Sequence, residues 1–194
     1  MTPSNNAAKL ILASHSPRRR ELLAVLGIPF EVVSSSVDEI VRPGESPEAF
    51  VVRVAREKGI DVADRVSDSV VLSADTIVTI DNEILGKPVD AADAERMLLK
   101  LSGRCHSVLT AVCVIDQSTH QTLDGIERTD VWFAPLTIDQ IRHYIRRENV
   151  LDKAGAYAIQ GYAGLFIPKI DGNYFNVVGL PLPLVHQLLC RTSL

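Results

Sequence analysis

One carboxylate inside an apolar run marks where this chain could do chemistry. Val70 to Ile80 reads VVLSADTIVTI, nearly continuous in β-forming residues, the pattern of a strand covered on both faces. An ionised Asp75 there costs several kcal/mol unless a metal or a cation compensates it. Candidate cations stand in other motifs: Arg18, Arg19, Lys58 and Lys87. Asp75 therefore anchors a candidate active site. The alternative is an aspartate at a strand end that caps a turn.

The cations carry their own signals. In Ser14-His15-Ser16-Pro17-Arg18-Arg19-Arg20, the arginines fall in the first turn of an expected helix. The helix dipole disfavours cations at that end by roughly 0.3–1 kcal/mol each. An anion held between the free backbone N–H groups and the guanidinium groups would reverse the penalty, and phosphate fits. Arg18 and Arg19, beside the strand-turn-helix corner, suit that contact, whereas Arg20 is expected to extend into water. Lys87, fixed between Gly86 and Pro88, has the setting of a phosphate clamp. Lys58 lies on a helix, where a solvated lysine is the commoner outcome, yet Ala55 alone separates it from the apolar face.

Glu39, in a polar loop, gains meaning only beside Asp75, because a hard divalent ion needs more than one oxygen ligand. Gln160 closes the loop DKAGAYAIQ, whose glycines let backbone approach a flat ligand; its amide could read a base edge. A cationic cradle facing one or two carboxylates suits metal-assisted attack of water on a phosphoryl group, with Mg²⁺ or Mn²⁺ as the metal. No GxxxxGK[ST] or strand-linked GxGxxG occurs, and the five histidines show neither zinc spacing nor a Ser-His-Asp pattern.

The elements that must position these groups follow from caps and periodicity. Strands are expected over 9–14, 30–35, 70–80, 84–85 and 165–170. A hairpin of 105–115 and 122–134 turns at Asp116 to Gln121. Helices are expected from Ser16-Pro17 to Gly27, from Ser46-Pro47 to about Arg65, and from Asp90 through Leu101 to a stop at Gly103. Two more run from a capping box at Thr137 to about Glu148, and from Pro181 or Pro183 onward. This alternation predicts a mixed α/β sheet flanked by helices, in one domain over 1–194 with a central cleft and a flexible start over 1–8.

Composition narrows the classes. The 194 residues are 46% hydrophobic and 23% charged, a globular balance. A net charge of -4 gives no basic field for long nucleic acid. Three cysteines without CxxC spacing suit a reducing, cytoplasmic setting rather than a disulfide framework. No signal peptide is seen, and no apolar stretch reaches the roughly 20 residues of a membrane span.

Taken in order, LILASHSPRRRELL, AREK, SADTIV, ILGKP, LSGRCHSVLTAV, DKAGAYAIQG and IDGNYFNVVGLPL resemble the Maf family of nucleoside triphosphate pyrophosphatases, from about Leu10 to Leu189. The resemblance implies a fold like that of inosine-triphosphate pyrophosphatases, commonly a homodimer. It also implies metal-dependent hydrolysis of a nucleoside triphosphate to the monophosphate and pyrophosphate. Asp75 matches the proton acceptor and metal ligand. Ser14, Arg18, Arg19, Glu39, Lys58 and Lys87 match the phosphate- and metal-site positions, with the two lysines counted as catalytic. Arg18, Thr76 and Gln160 match the branch acting on dTTP and UTP, where the branch acting on 7-methyl-GTP carries Trp, Gln and Glu. One departure is Gly59-Ile60, where alanine is usual; Gly59 is expected to cost up to about 1 kcal/mol of helix stability. The rivals are a 7-methyl-GTP pyrophosphatase and a nucleotide-sensing regulator of cell division that does not hydrolyse.

Overall fold

The computed structural model describes residues 8–194, so the flexible start expected for 1–8 falls, except for Ala8, outside them. The strands are β1 (Lys9–Ala13), β2 (Phe30–Val32), β3 (Ser69–Ile80), β4 (Glu83–Leu85), β5 (Cys105–Asp116), β6 (Gln121–Trp132) and β7 (Lys169–Asp171). They form one seven-stranded mixed sheet in the order β2-β1-β3-β5-β6-β7, with β4 paired to β3 off that path. β1 runs parallel to β2 and β3, and all other pairings are antiparallel. The helices are α1 (Pro17–Ala24), α2 (Pro47–Ala63), α3 (Ala91–Leu101), α4 (Ile138–Arg147), α5 (Tyr174–Val178) and α6 (Leu182–Leu189).

Helix starts follow the capping chemistry read from sequence. Ser16, Ser46 and Asp90 each accept from the backbone N–H three residues on, and Thr137 with Gln140 forms a reciprocal capping box. Period-two alternation along β3 then assigns its faces. Val70, Leu72 and Ala74 pack with Leu22 and Leu23 of α1 and with Leu188 of α6. Ile77, one of the alternate residues, packs with Phe50, Val51 and Val54 of α2. Burial of each such large side chain contributes about 1.5–3 kcal/mol. Helices cover both faces of the sheet, the mixed α/β arrangement expected.

Two strands and one additional helix differ most from expectation. β2 stops at Val32 instead of Ser35, because the chain leaves the sheet edge after Val33 N–H donates to Leu12 O. The expected strand 165–170 is a 3₁₀ turn over Tyr162–Phe166 followed by β7. Phe166 and Ala163 are buried there against the α4 core, so packing overrides the β-like composition. α5 was not anticipated, although Asn173 caps its start and Gly179, at φ +122°, ends it.

One feature of register opens the sheet. β1 pairs with β3 only through Ala13↔Ser73, and β4 takes up β3 only from Val78. Ala74 to Ile77 thus lack a strand partner on that edge, while β5 continues to pair on the other. The gap lies at the carboxyl end of the parallel pair, where open α/β sheets place their ligand crevices.

Candidate active site

Asp75 and Thr76 sit in that gap and point to opposite faces. A cavity of about 720 Å³ reaches both side chains. Asp75 shares the α2 face with Ser73 and Ile77, and Lys58 of α2 meets it there. Asp75 is 4% exposed and Lys58 8%, so both are withdrawn from bulk water. Lys58 Nζ donates to Asp75 Oδ1 at 2.7 Å and to Glu39 Oε1 at 2.6 Å. The turn-capping alternative for Asp75 is overturned, since it lies in mid-strand. So is the solvated lysine: Lys58 occurs one turn before α2 ends against the sheet, with Ala55 making room on the buried face.

Glu39 comes from the irregular segment after β2. Arg53 of α2 fixes that segment by donating to Ile40 O at 2.9 Å and to Glu45 at 2.6 and 2.8 Å, and it pairs with Glu57 of its own helix at 2.9 Å. Lys87 completes a second bond to Glu39, Nζ to Oε2 at 3.0 Å. Burial alone raises the Glu39 carboxyl, but Lys58 and Lys87 outweigh it and hold it at about 2. Lys87 is placed by the turn after β4, where Gly155 N–H donates to Gly86 O at 3.0 Å.

The other rim is α1. Ser14, nearly buried at the end of β1, accepts Ser16 N–H at 3.1 Å, which shapes the corner before the helix. Arg19 crosses beneath the cavity, donating from Nε to Gly179 O at 2.8 Å and from Nη2 to Thr76 Oγ1 at 2.9 Å. Burial pulls its guanidinium below the ordinary value, opposed by the charges of Asp75 and Glu39. Arg18 lines the cavity and pairs with Asp152 at 3.3 Å, while Arg20 is exposed as expected. Gln160 is an exposed wall residue whose amide has no hydrogen-bond partner among the described residues.

All nine expected residues line one space: Ser14, Arg18, Arg19, Glu39, Lys58, Asp75, Thr76, Lys87 and Gln160. Sequence reasoning passed over Asp152, Tyr157, Arg53 and Thr110. Each stands in or beside a quoted motif, but residue type alone gives no sign of a cross-chain bond. Gly155 also differs in role. Its φ is +68°, and a Cβ there would come within 2.9 Å of Val78, so it packs the loop onto β3 instead of admitting a ligand.

The donors present fit a hard divalent cation. Glu39 and Asp75 flank one ammonium group and face the cavity together, and Mg²⁺ commonly takes one or two carboxylates plus substrate phosphates and water. No cluster of three or more His, Cys, Asp or Glu side chains forms a complete cage among the described residues. Phosphate oxygens would complete the ligand set.

Comparison with known proteins finds similarity over nearly the whole chain. The chain is 52% identical over 184 residues to a protein of Geotalea uraniireducens named dTTP/UTP pyrophosphatase, covering 95% of each. It is 50% identical over 181 residues to a protein of the same name from Escherichia coli, covering 93% of this chain and 91% of that one. Its fold is similar to that of the Staphylococcus aureus Ham1 protein, with a TM-score of 0.56 at 15% identity over 93% of this chain and 97% of the other. No helix among the described residues is long and apolar enough to cross a membrane. The model of the Maf-like protein family matches residues 9–192, nearly the whole sequence, and the chain belongs to that family.

Proposed function

We propose that this protein hydrolyses dTTP and UTP to the nucleoside monophosphate and pyrophosphate. The observation that carries the reading is Lys58 held between Asp75 and Glu39 at a cavity rimmed by Arg18, Arg19 and Lys87. A protein that only senses nucleotides needs no carboxylate aimed at a water. The names of the relatives and the residues Arg18, Thr76 and Gln160 support a pyrimidine triphosphate over 7-methyl-GTP.

The triphosphate lies along Arg18, Arg19 and Lys87, whose charges offset its own. Glu39 and Asp75 would hold Mg²⁺ or Mn²⁺, which when bound neutralises phosphate charge and lowers the barrier to attack. Lys58 orients Asp75 through Oδ1. Oδ2 has no protein donor among the described residues and is left to accept a proton from water. The water oxygen bonds to the α-phosphorus as that proton moves to Asp75. The bond from the α-phosphorus to the bridging oxygen breaks, and pyrophosphate leaves. Gln160 has a free amide to meet the base. Work as a homodimer in the cytoplasm belongs to the same reading; three free cysteines suit the reducing compartment.

The test is pyrophosphate release from a panel of dTTP, UTP, CTP, 7-methyl-GTP and inosine triphosphate with Mg²⁺ or Mn²⁺, before and after chelation. Release from dTTP and UTP that chelator abolishes supports the reading. Tight binding without turnover overturns it.

A further inference from the structure

Thr110 does not line the cavity, and it is fully buried. It lies on β5 directly opposite Thr76 of β3, and their hydroxyl oxygens are 3.0 Å apart. Thr110 Oγ1 also lies 3.2 Å from Asn176 O in α5, to which it donates. A hydroxyl has one proton. With that proton given to Asn176 O, the contact between the two threonines forms only with Thr76 donating. The Thr76 lone pairs are then turned to Arg19 Nη2 at 2.9 Å. The chain of bonds runs one way, from Arg19 through Thr76 and Thr110 to the Asn176 carbonyl, and bonds in such a chain polarise one another.

A second acceptor lies close by. Gly179 O is 3.4 Å from Thr76 Oγ1 and accepts Arg19 Nε at 2.8 Å. Without Thr110, the Thr76 proton would turn toward Gly179 O and compete with Arg19 for it. We propose that Thr110 is a positioning residue for the hydrolysis: it fixes the direction of the Thr76 hydroxyl and thereby the orientation of Arg19 beneath the polyphosphate. The proposal rests on the phosphate-binding role given above to Arg19. It also gives Thr76 a task other than contact with the base.

The test compares Thr110→Val, Thr110→Ser and Thr76→Val, singly and with Thr110→Val combined with Thr76→Val. Thr110→Val keeps shape and loses the acceptor. It is expected to raise KM for dTTP about tenfold, with kcat changed less than threefold and the melting profile retained. Thr110→Ser restores parental KM. In the Thr76→Val background, Thr110→Val adds less than a twofold effect, because the relay is already cut. Should Thr110→Val fail to fold, Thr110→Ala carries the same comparison. Parental KM in Thr110→Val, a loss in Thr110→Ser equal to that in Thr110→Val, or a full tenfold loss on top of Thr76→Val would each overturn the proposal. Calorimetric binding of inorganic triphosphate to the same variants separates this from the activity reading. If the parent does not turn over dTTP, a tenfold loss of triphosphate affinity in Thr110→Val still upholds the role of Thr110, and an unchanged affinity ends it.

Discussion

Lys58 Nζ lies 2.7 Å from Asp75 Oδ1, a contact made across the α2–β3 interface between two side chains nearly removed from solvent. Because Glu39 shares the same ammonium group, the two partners are not equivalent. Removing Asp75 leaves Lys58 still paired; removing Lys58 leaves two carboxylates facing each other. Asp75→Asn should therefore lower turnover by about 100-fold or more while the melting temperature changes little. Lys58→Met should lose activity and also about 3 kcal/mol of stability, read from urea unfolding. Equal destabilisation by the two substitutions would contradict the asymmetry.

Acid stability follows from two carboxyls. Burial raises Glu39, but Lys58 and Lys87 hold it at about 2. Burial likewise raises Asp116, but hydrogen bonds from Ser118, Ser193 and Thr119 bring it to about 2. Both folded values lie below the unfolded ones of 4.5 and 3.8. Their contribution is thus complete above about pH 4.5 and is lost as pH falls toward 2. Urea midpoints at pH 6, 4 and 3 should fall steadily in the parent and less steeply in Glu39→Gln.

Arg53 holds the Glu39 segment through Ile40 O and Glu45. Arg53→Ala should raise the Mn²⁺ concentration for half-maximal activity by about tenfold, as the loss of outer supports does at metal sites. The KM for dTTP should move less, since Arg18 and Arg19 are on another helix. Metal titration at saturating dTTP is the measurement. A rise in KM alone would place Arg53 outside the support of Glu39.

Gly59 has a packing reason to be glycine. A Cβ there would meet Ser73 Oγ at 2.8 Å and Ile115 Cδ1 at 3.2 Å, while Ser73 Oγ donates to Ala55 O at 2.7 Å. Helix propensity favours Gly59→Ala by up to about 1 kcal/mol, whereas overpacking costs roughly 1–3. Gly59→Ala should therefore destabilise, and Gly59→Ala with Ser73→Gly should recover most of the loss in thermal melts. If Gly59→Ala alone raised the melting temperature, helix propensity would be the larger effect.

The sequence by itself determined the elements and the chemical type of the site. Caps at Ser16, Ser46, Asp90 and Thr137, and the apolar run around Asp75, act through neighbours a few residues apart, so they are legible locally. The ordered motifs carried the family. Tertiary structure decided which groups meet. The register that ends β1 pairing at Ser73 of β3 and starts β4 pairing at Val78 opened a gap at Asp75 and Thr76. Strand alternation then sent one side chain to Lys58 and the other to Arg19. Tertiary packing also made a 3₁₀ turn of Tyr162–Phe166, and it turned Gly59 from a weak helix residue into a close contact. Such outcomes depend on distances between segments far apart in the chain, and residue type and spacing along one strand carry no record of them.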